Sequence, residues 1–159
     1  IGHVLVERGA LTRETMSMQS LRRWMRDNPK GARELMWENK SYIFFRVVEV
    51  DDPALGPPGA QKVNLTPEIS LAVDRGLWAY GMPVWLETSA PQGEAGTLEP
   101  FRALMIAQDT GTAIRGAARG DVFWGAGDAA ALTAGQMKSP GRMTVLVPHA
   151  LAERLMDAP

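Results

Sequence analysis

The stretch MIAQDTGTAIRGAARGDVFWGAG, residues 105–127, decides how this chain is interpreted. It holds two aspartates, Asp109 and Asp121, each next to a strand-like run and close to glycines. A third aspartate, Asp74, follows another apolar run, ISLAV, at residues 69–73. Aspartates that end separate short strands can meet at one rim of a small barrel, even when they are distant in sequence. These three carboxyl groups are therefore the candidate functional site.

Two interpretations of these aspartates stay open. An aspartate beside glycine is most often a turn residue, because its side chain binds nearby backbone amides and it tolerates unusual backbone angles. The catalytic alternative is glycosidic bond cleavage, which needs an acid for the leaving oxygen and a base for the nucleophile. One carboxyl group can serve as both when the nucleophile is a hydroxyl of the sugar itself. Neighbouring carboxylates would help to keep that acid protonated, since like charges oppose each other's ionisation.

Around the aspartates, the sequence predicts short strands. They are rich in β-branched or aromatic residues and bounded by turn residues. The candidates are Tyr42–Val50, Gln61–Leu65, Ser70–Val73, Pro83–Glu87, Arg102–Gln108, Val122–Trp124 and Met143–Val147. The stretches 51–59 and 89–96, rich in Gly, Pro and small residues, predict exposed loops. Many short strands with glycine-rich turns favour a small barrel, so we expect a mainly β fold.

Helices are predicted towards the two ends of the chain. Ser17 is placed to cap a helix that ends near Asn28 and Pro29, and a second short helix follows Gly31. Residues 149–156 predict a closing helix. The chain opens on the run IGHVLV, which reads as strand-like and has no initiator methionine. We therefore expect further residues to precede it in the whole protein.

Composition argues against several classes of function. The 159 residues are 45% hydrophobic and 22% charged with a net charge of −1, which is typical of a globular protein and lacks the basic excess of nucleic-acid binding. Without cysteine, the chain has no disulfide and no thiolate metal site. Its two histidines, His3 and His149, lie at opposite ends, and we expect neither a metal nor another cofactor. No apolar run approaches the roughly 18 residues of a membrane-spanning helix.

Three blocks of the sequence resemble a known family. They are DRG at residues 74–76, QDTGTAIRG at 108–116 and RGDVFWG at 119–125. Together they resemble the three-aspartate (3D) region of the lytic murein transglycosylase A family. The segments MSMQSLR at 16–22 and SYIFFR at 41–46 resemble the part of those proteins that leads into this region, so the resemblance covers nearly the whole chain.

The resemblance implies a protein of two domains, one inserted into the other. Residues 1–45 would be the C-terminal end of the inserted domain, which forms one side of the substrate groove. Residues 46–159 would be the second half of a double-psi β-barrel, the 3D domain. The expected fold is therefore mainly β, a half-barrel preceded by a short helical segment. A monomer is expected, and any lipid anchor would lie in the preceding part of the protein.

The resemblance also implies a function. The family cleaves peptidoglycan glycan strands in the Gram-negative periplasm, at the outer membrane. It breaks the β-1,4 bond between N-acetylmuramic acid and N-acetylglucosamine without water and leaves a 1,6-anhydro ring. Asp121 aligns with the catalytic acid, and Asp109 and Asp74 align with aspartates that line the active site. Trp124 either packs in the core or offers its ring to a sugar, and we count it among the substrate-binding residues.

Two other functions stay open. A non-catalytic, glycan-binding barrel would keep the groove but would not need an acid at position 121. A hydrolase would use the same acid together with a bound water. The products distinguish the two reactions, because hydrolysis adds a water to each new reducing end.

Overall fold

The structure, a computed structural model, describes residues 1–40 and 44–157, except for the side chain of Leu155. It divides into two compact units, Ile1–Val47 and Val48–Pro159. Within the described residues, no helix has the length and apolar character that crossing a bilayer requires.

Three helices make up the first unit: α1 at Gly2–Glu7, α2 at Met18–Asp27 and α3 at Pro29–Trp37. Ser17 caps α2 as predicted, because its hydroxyl accepts the N–H of Ser20 at 3.1 Å while the Ser20 hydroxyl accepts the N–H of Ser17 at 2.8 Å. The strand-like interpretation of residues 1–6 is wrong. A short apolar run fits a buried helix and a buried strand equally well, and periodicity alone does not separate them.

The second unit is built on one five-stranded mixed sheet. Its strands are β1 (Ser70–Val73), β2 (Pro83–Gln92), β3 (Thr97–Asp109), β4 (Gly120–Val122) and β5 (Gly141–Val145), in the order β4-β1-β3-β2-β5. β1 runs parallel to β3, and the other neighbours are antiparallel. Two helices complete the unit, α4 at Asp128–Gln136 and α5 at His149–Met156. The prediction of a mainly β fold is confirmed for this unit.

The predicted strands are confirmed in part. β1 has the predicted bounds, whereas β2 and β3 continue through the predicted loop 89–96 and pair down to Gln92 and Thr97. The turn between them is made by Gly93 and Gly96, both with positive φ, so the glycines mark a tight hairpin instead of a long loop.

Two predicted strands are wrong. Residues 61–65 form a turn with one isolated bridge, Pro58 to Asn64, and Lys62 has a φ of 65° that no regular strand adopts. Residues 44–50 form no strand, and Tyr42 and Ile43 lie outside the described residues.

Alternate residues of the central strands form the core of the sheet unit. Successive side chains of a strand point to opposite faces, so every second residue shares a side. The buried cluster consists of Leu71, Val73, Val84, Leu86, Met105 and Ala107. The opposite face of the sheet is more open, since Trp85 and Leu104, which are paired across β2 and β3, are 37% and 49% exposed. This alternation decides which side of the sheet each aspartate faces.

Candidate active site

Two of the three predicted aspartates lie in one row across the sheet. Ala72, on the central strand β1, pairs with Asp121 of β4 on one side and with Asp109 of β3 on the other. Directly paired residues point to the same face of a sheet. The strand spacing of roughly 4.8 Å puts the backbones of the two aspartates about 10 Å apart. The topology therefore brings together residues that are 12 positions apart in the sequence.

An irregularity in the pairing turns Asp109 towards this face. Leu71 pairs with Ala107, but the next residue of β1, Ala72, pairs with Asp109, so Gln108 is an extra residue on β3. Without this bulge, the alternation would place Asp109 on the same side as Met105 and Ala107, which are fully buried in the core. A one-residue shift exchanges the two faces of a strand. The bulge thus moves a carboxylate from the core side to the open side.

Asp109 and Asp121 line one cavity of about 250 Å³. Its other lining residues are Leu65, Ser70, Ala72, Thr110, Ile114, Val122 and Phe123. Ser70 is held by a hydrogen bond from its hydroxyl to Oε1 of Gln108, at 2.6 Å. The cavity is therefore a small depression in the sheet with an acid at each side and Ala72 between them.

The carboxylate of Asp109 is anchored by the loop that precedes β1. Its Oδ1 accepts the backbone N–H of Ala60 at 3.0 Å. The neighbouring Gln61 donates its N–H to the carbonyl oxygen of Gln108, also at 3.0 Å. Gly59 lies so close to β3 that a Cβ there would meet the Gln108 carbonyl at 2.8 Å. This loop fixes Asp109 from the backbone side, while the carboxylate still lines the cavity.

Arg119 binds both oxygens of Asp121. Its Nε donates to Oδ1 at 2.6 Å and its Nη2 donates to Oδ2 at 3.1 Å, the two-pronged geometry that suits a guanidinium and a carboxylate. Arg119 directly precedes β4, so its side chain is close enough to reach the exposed carboxylate of Asp121. The hydrogen bonds to Asp121, and then the charge of that carboxylate, raise the pKa of Arg119 further above its ordinary value. Both side chains are about half exposed, at 53% and 46%.

This ion pair differs from the expectation that neighbouring carboxylates hold Asp121 neutral. In the structure β1 stands between Asp121 and Asp109, and the charged group that contacts Asp121 is the cation of Arg119. The sequence could not show this, because the order of strands in the sheet decides which charges meet.

Asp74, in contrast, is buried at the end of β1 and organises a loop. Its Oδ2 accepts the N–H of Gly116 at 2.9 Å, and its Oδ1 accepts the N–H of Gly76 at 3.0 Å. The Nη1 of Arg115 lies 3.6 Å from the same Oδ1. Asp74 does not line the cavity of Asp109 and Asp121. Its contacts tie the segment that links β3 to β4 onto β1. Its role as a substrate-binding residue stays a prediction.

Asp74→Asn is expected to lower the free energy of unfolding at neutral pH, but much less in strong acid. Hydrogen bonds from the backbone of Gly116 and Gly76, and then the charge of Arg115, hold the pKa of Asp74 below its usual value. Such a group stabilises the fold above its unfolded-state pKa of about 3.9, and this stabilisation disappears as the pH falls through the lower folded-state pKa. Urea unfolding of both proteins over a range of pH measures the effect.

The exposed Asp51 offers a matched control for this series. Asp51→Asn should leave the unfolding free energy nearly unchanged at every pH. An Asp74→Asn protein with the same deficit at neutral and at acid pH would show that its loss comes from packing, not from the ionised carboxylate.

Trp124 packs against its neighbours and also borders open space, and its role in substrate binding stays a prediction. Its ring packs on Phe101 with centroids 5.0 Å apart at a 54° tilt, and its Nε1–H donates to the sulfur of Met137 at 3.3 Å. The half-buried ring also lines a second, larger cavity, which Asp121 lines as well. Trp124 is therefore held by its neighbours, and part of it faces open space.

Sequence reasoning did not single out Arg119 as the partner of Asp121. A signal was present, since Arg119 and Asp121 are opposite charges only two residues apart in the sequence. The signal is weak, because two such residues can also point away from each other, and the predicted strand began at Val122 whereas β4 begins at Gly120.

Family models match both units of the chain. Residues 1–46 match the MltA specific insert domain, and residues 69–147 match the 3D domain. The second match contains Asp74, Asp109, Asp121 and Trp124. Together the two models cover most of the chain.

Curated relatives carry one name. The chain is 34% identical over 148 residues to the membrane-bound lytic murein transglycosylase A of Vibrio cholerae, covering 90% of this chain and 38% of that protein. It is 33% identical over 150 residues to the protein of the same name from Escherichia coli K12, covering 92% of this chain and 39% of the relative. The chain thus spans about two fifths of the length of these relatives.

Solved structures agree with this relationship. A membrane-bound lytic murein transglycosylase from Agrobacterium tumefaciens superposes with a TM-score of 0.80 at 40% identity, over 96% of this chain and 41% of that one. The E. coli MltA structure with bound chitohexaose gives a TM-score of 0.79 at 29% identity, over 91% of this chain and 43% of that one. On the two domain matches and these relatives, the chain belongs to the lytic murein transglycosylase A family.

Proposed function

We propose that this chain carries the catalytic part of a peptidoglycan lytic transglycosylase. The observation that carries the proposal is the row of Asp121, Ala72 and Asp109, which places two carboxyl groups on one open cavity of a 3D domain. A module that only binds glycans has no need for an acid in such a position. The relatives named above support the same activity, since they are lytic murein transglycosylases.

The proposed reaction uses Asp121 twice. In its protonated form, Asp121 donates a proton to the oxygen that links N-acetylmuramic acid to N-acetylglucosamine, and the bond from that oxygen to the muramyl C1 breaks. The carboxylate of Asp121 then takes the proton of the muramyl C6 hydroxyl, whose oxygen bonds to C1 and closes the 1,6-anhydro ring. No water is consumed, and Asp121 ends the cycle with its proton restored.

The other site residues are proposed to bind the substrate. Asp109 lies across Ala72 from Asp121, at a distance that suits a hydrogen bond to a sugar hydroxyl instead of a shared proton. Trp124 offers part of its ring to a sugar face. For Asp74 the contacts support a positioning role, since it holds the segment that precedes Asp121, and any contact with the glycan would add to that role.

The finer architecture and the location belong to the same proposal. We propose that the five-stranded sheet is the second half of a double-psi β-barrel, and that residues 1–45 and 46–159 are the end of the inserted domain and the 3D half-barrel. The whole protein would act as a monomer on glycan strands in the periplasm, held at the outer membrane by a lipid anchor. The word membrane-bound in the names of the relatives supports this location.

Digestion of purified murein sacculi by the full-length protein tests the activity. Mass spectrometry of the soluble products is expected to show muropeptides with 1,6-anhydro ends. Products heavier by one water would identify a hydrolase, and binding to sacculi without any soluble product would identify a glycan-binding module. Either result would overturn the proposal.

Trp124→Ala is expected to raise the KM for peptidoglycan strands by about fivefold, because an aromatic contact is worth about 1 kcal/mol beyond its buried area. Trp124→Phe should change KM much less, since it keeps a ring against Phe101. Steady-state kinetics on soluble glycan strands gives both values, with thermal unfolding as the check on the fold. An alanine variant that loses stability but keeps its KM would place Trp124 in the core alone.

A further inference from the structure

The larger cavity beside Asp121 has no role in the reaction described above. It has a volume of about 490 Å³ and lies between β4 and the segment that follows α4. Arg119, Asp121 and Trp124 line it from β4 and its flanks, and Ala134, Lys138 and Ser139 line it from the other side. Asp121 therefore lines both cavities, and the larger one differs from the smaller in the charge of its lining residues.

Cations dominate the larger cavity. Its lining contains the guanidinium of Arg119 and the ammonium of Lys138, and Asp121 is the one acid among its lining residues, all of which the structure describes. The hydroxyl of Ser139 adds a further hydrogen-bond donor. When Asp121 carries a proton, as the proposed reaction requires, both positive charges lack a compensating charge within the lining. The cavity in that state suits an anion.

The bond between Arg119 and Asp121 creates a second requirement. The guanidinium of Arg119 occupies both oxygens of Asp121, whereas the acid step needs one of these oxygens to face the glycosidic oxygen. The ion pair must therefore open before the reaction. Both side chains are about half exposed, so an incoming group can reach the guanidinium. A second carboxylate matches the geometry of the guanidinium best and could replace Asp121 as its partner.

Resting on the proposed function, we propose that the larger cavity binds a carboxylate of the muramyl side group, and that this carboxylate takes Arg119 away from Asp121. Lys138 supplies the second positive charge, and Trp124 forms the apolar wall. Once Arg119 has moved to the substrate, both oxygens of Asp121 are free for the acid and base steps of the proposed reaction. Arg119 is thus a positioning residue that lets the charge of the substrate prepare the acid, and glycans without a carboxylate leave the acid in its ion pair.

Binding measurements on Asp121→Asn in the full-length protein test this inference without cleavage of the ligand. Three glycans of equal length are compared by calorimetry. Peptide-free GlcNAc–MurNAc strands carry free lactyl carboxylates, peptide-bearing strands carry carboxylates on the peptide, and chito-oligosaccharides carry none. We expect at least one charged glycan to bind about tenfold more tightly than the neutral one, the ratio expected for one charge-assisted contact. The charged glycan with the greater affinity identifies the source of the carboxylate.

Second substitutions on the same background assign the effect to the cavity. Arg119→Ala and Lys138→Ala should each reduce the affinity ratio between charged and neutral glycans to less than about threefold. Arg119→Lys keeps the positive charge but not the two-pronged geometry of the guanidinium, so it should retain an intermediate ratio. Arg142→Ala is the matched control, because Arg142 is also an exposed arginine paired with a carboxylate, that of Glu87 on β2, but it does not line the cavity. It should keep the full preference.

Equal affinity for charged and neutral glycans would overturn the inference, as would a preference that survives Arg119→Ala. The digestion of sacculi separates this failure from a failure of the proposed function. If the wild-type protein releases anhydromuropeptides but shows no preference for carboxylates, the transglycosylase proposal stands and the role of the larger cavity is refuted. If no anhydro products form, the proposed function itself fails.

Discussion

Asp121→Asn should reduce the release of anhydromuropeptides from sacculi by about 10²–10⁴-fold, the range that general acid–base catalysis contributes. Asparagine has nearly the same shape but can neither donate the proton to the leaving oxygen nor take one from the C6 hydroxyl. The fold should persist. The side chain is 46% exposed, and its pair with Arg119 is a surface ion pair, which contributes no more than about 1 kcal/mol.

Asp157→Asn serves as the control for this substitution. Asp157 is an exposed aspartate at the end of α5 that lines neither cavity, so its variant should keep wild-type activity. Initial rates of product release and thermal unfolding curves are compared for the three proteins. An Asp121→Asn protein that folds normally and retains more than about a tenth of the activity would show that another group delivers the proton.

Gly59→Ala is expected to reduce stability and activity together. An added Cβ would lie 2.6 Å from Cδ2 of Leu65 and 2.8 Å from the carbonyl oxygen of Gln108. Leu65 is buried and the second contact is with backbone, so neither neighbour yields easily. Overpacking of this kind costs about 1–3 kcal/mol of unfolding free energy. The clash would displace Gln108, the residue before Asp109, and with it the carboxylate of Asp109. A displacement of about 1 Å at a site can lower the rate by about 100-fold.

Ala60→Gly distinguishes this mechanism from a general effect of the loop. Position 60 is next to Gly59, and the variant keeps the backbone N–H that donates a hydrogen bond to Oδ1 of Asp109 without adding an atom to the loop. Its cost should stay below about 1 kcal/mol, which is the usual effect of added backbone freedom. Denaturant unfolding and kcat/KM on glycan strands give both quantities. If the two variants behave alike, the contact between Gly59 and β3 does not position Asp109.

Parts of the structure with a strong local signal could be predicted from the sequence. Ser17, a residue type that caps helices, predicts the start of α2, and the apolar run at residues 69–73 predicts β1. The three aspartates and Trp124 are predicted as site residues by their neighbours in sequence and by the family resemblance. The geometry then brings Asp109 and Asp121 to one cavity.

Other parts depend on contacts that a linear sequence does not display. The separation of Asp109 and Asp121 by β1 follows from the strand order, which joins segments that are distant in sequence. The hairpin of β2 and β3 was missed because the glycines of residues 89–96 also fit a long loop. The burial of Asp74 also depends on a contact between distant residues. Its hydrogen-bond partner Gly116 is 42 residues away in the sequence, so the sequence alone does not predict that the carboxylate is buried against backbone amides.

Because Gln108 is an extra residue on β3, the register of the pairing with β1 decides which side chain lies beside Ala72. A regular pairing of Gln108 with Ala72, without the extra residue, would leave the composition and the buried cluster unchanged. It would, however, turn the carboxylate of Asp109 inward and present the neutral side chain of Gln108 to the cavity. In this fold a cavity lining can therefore change through a one-residue shift in strand register alone, without any exchange of one amino acid for another.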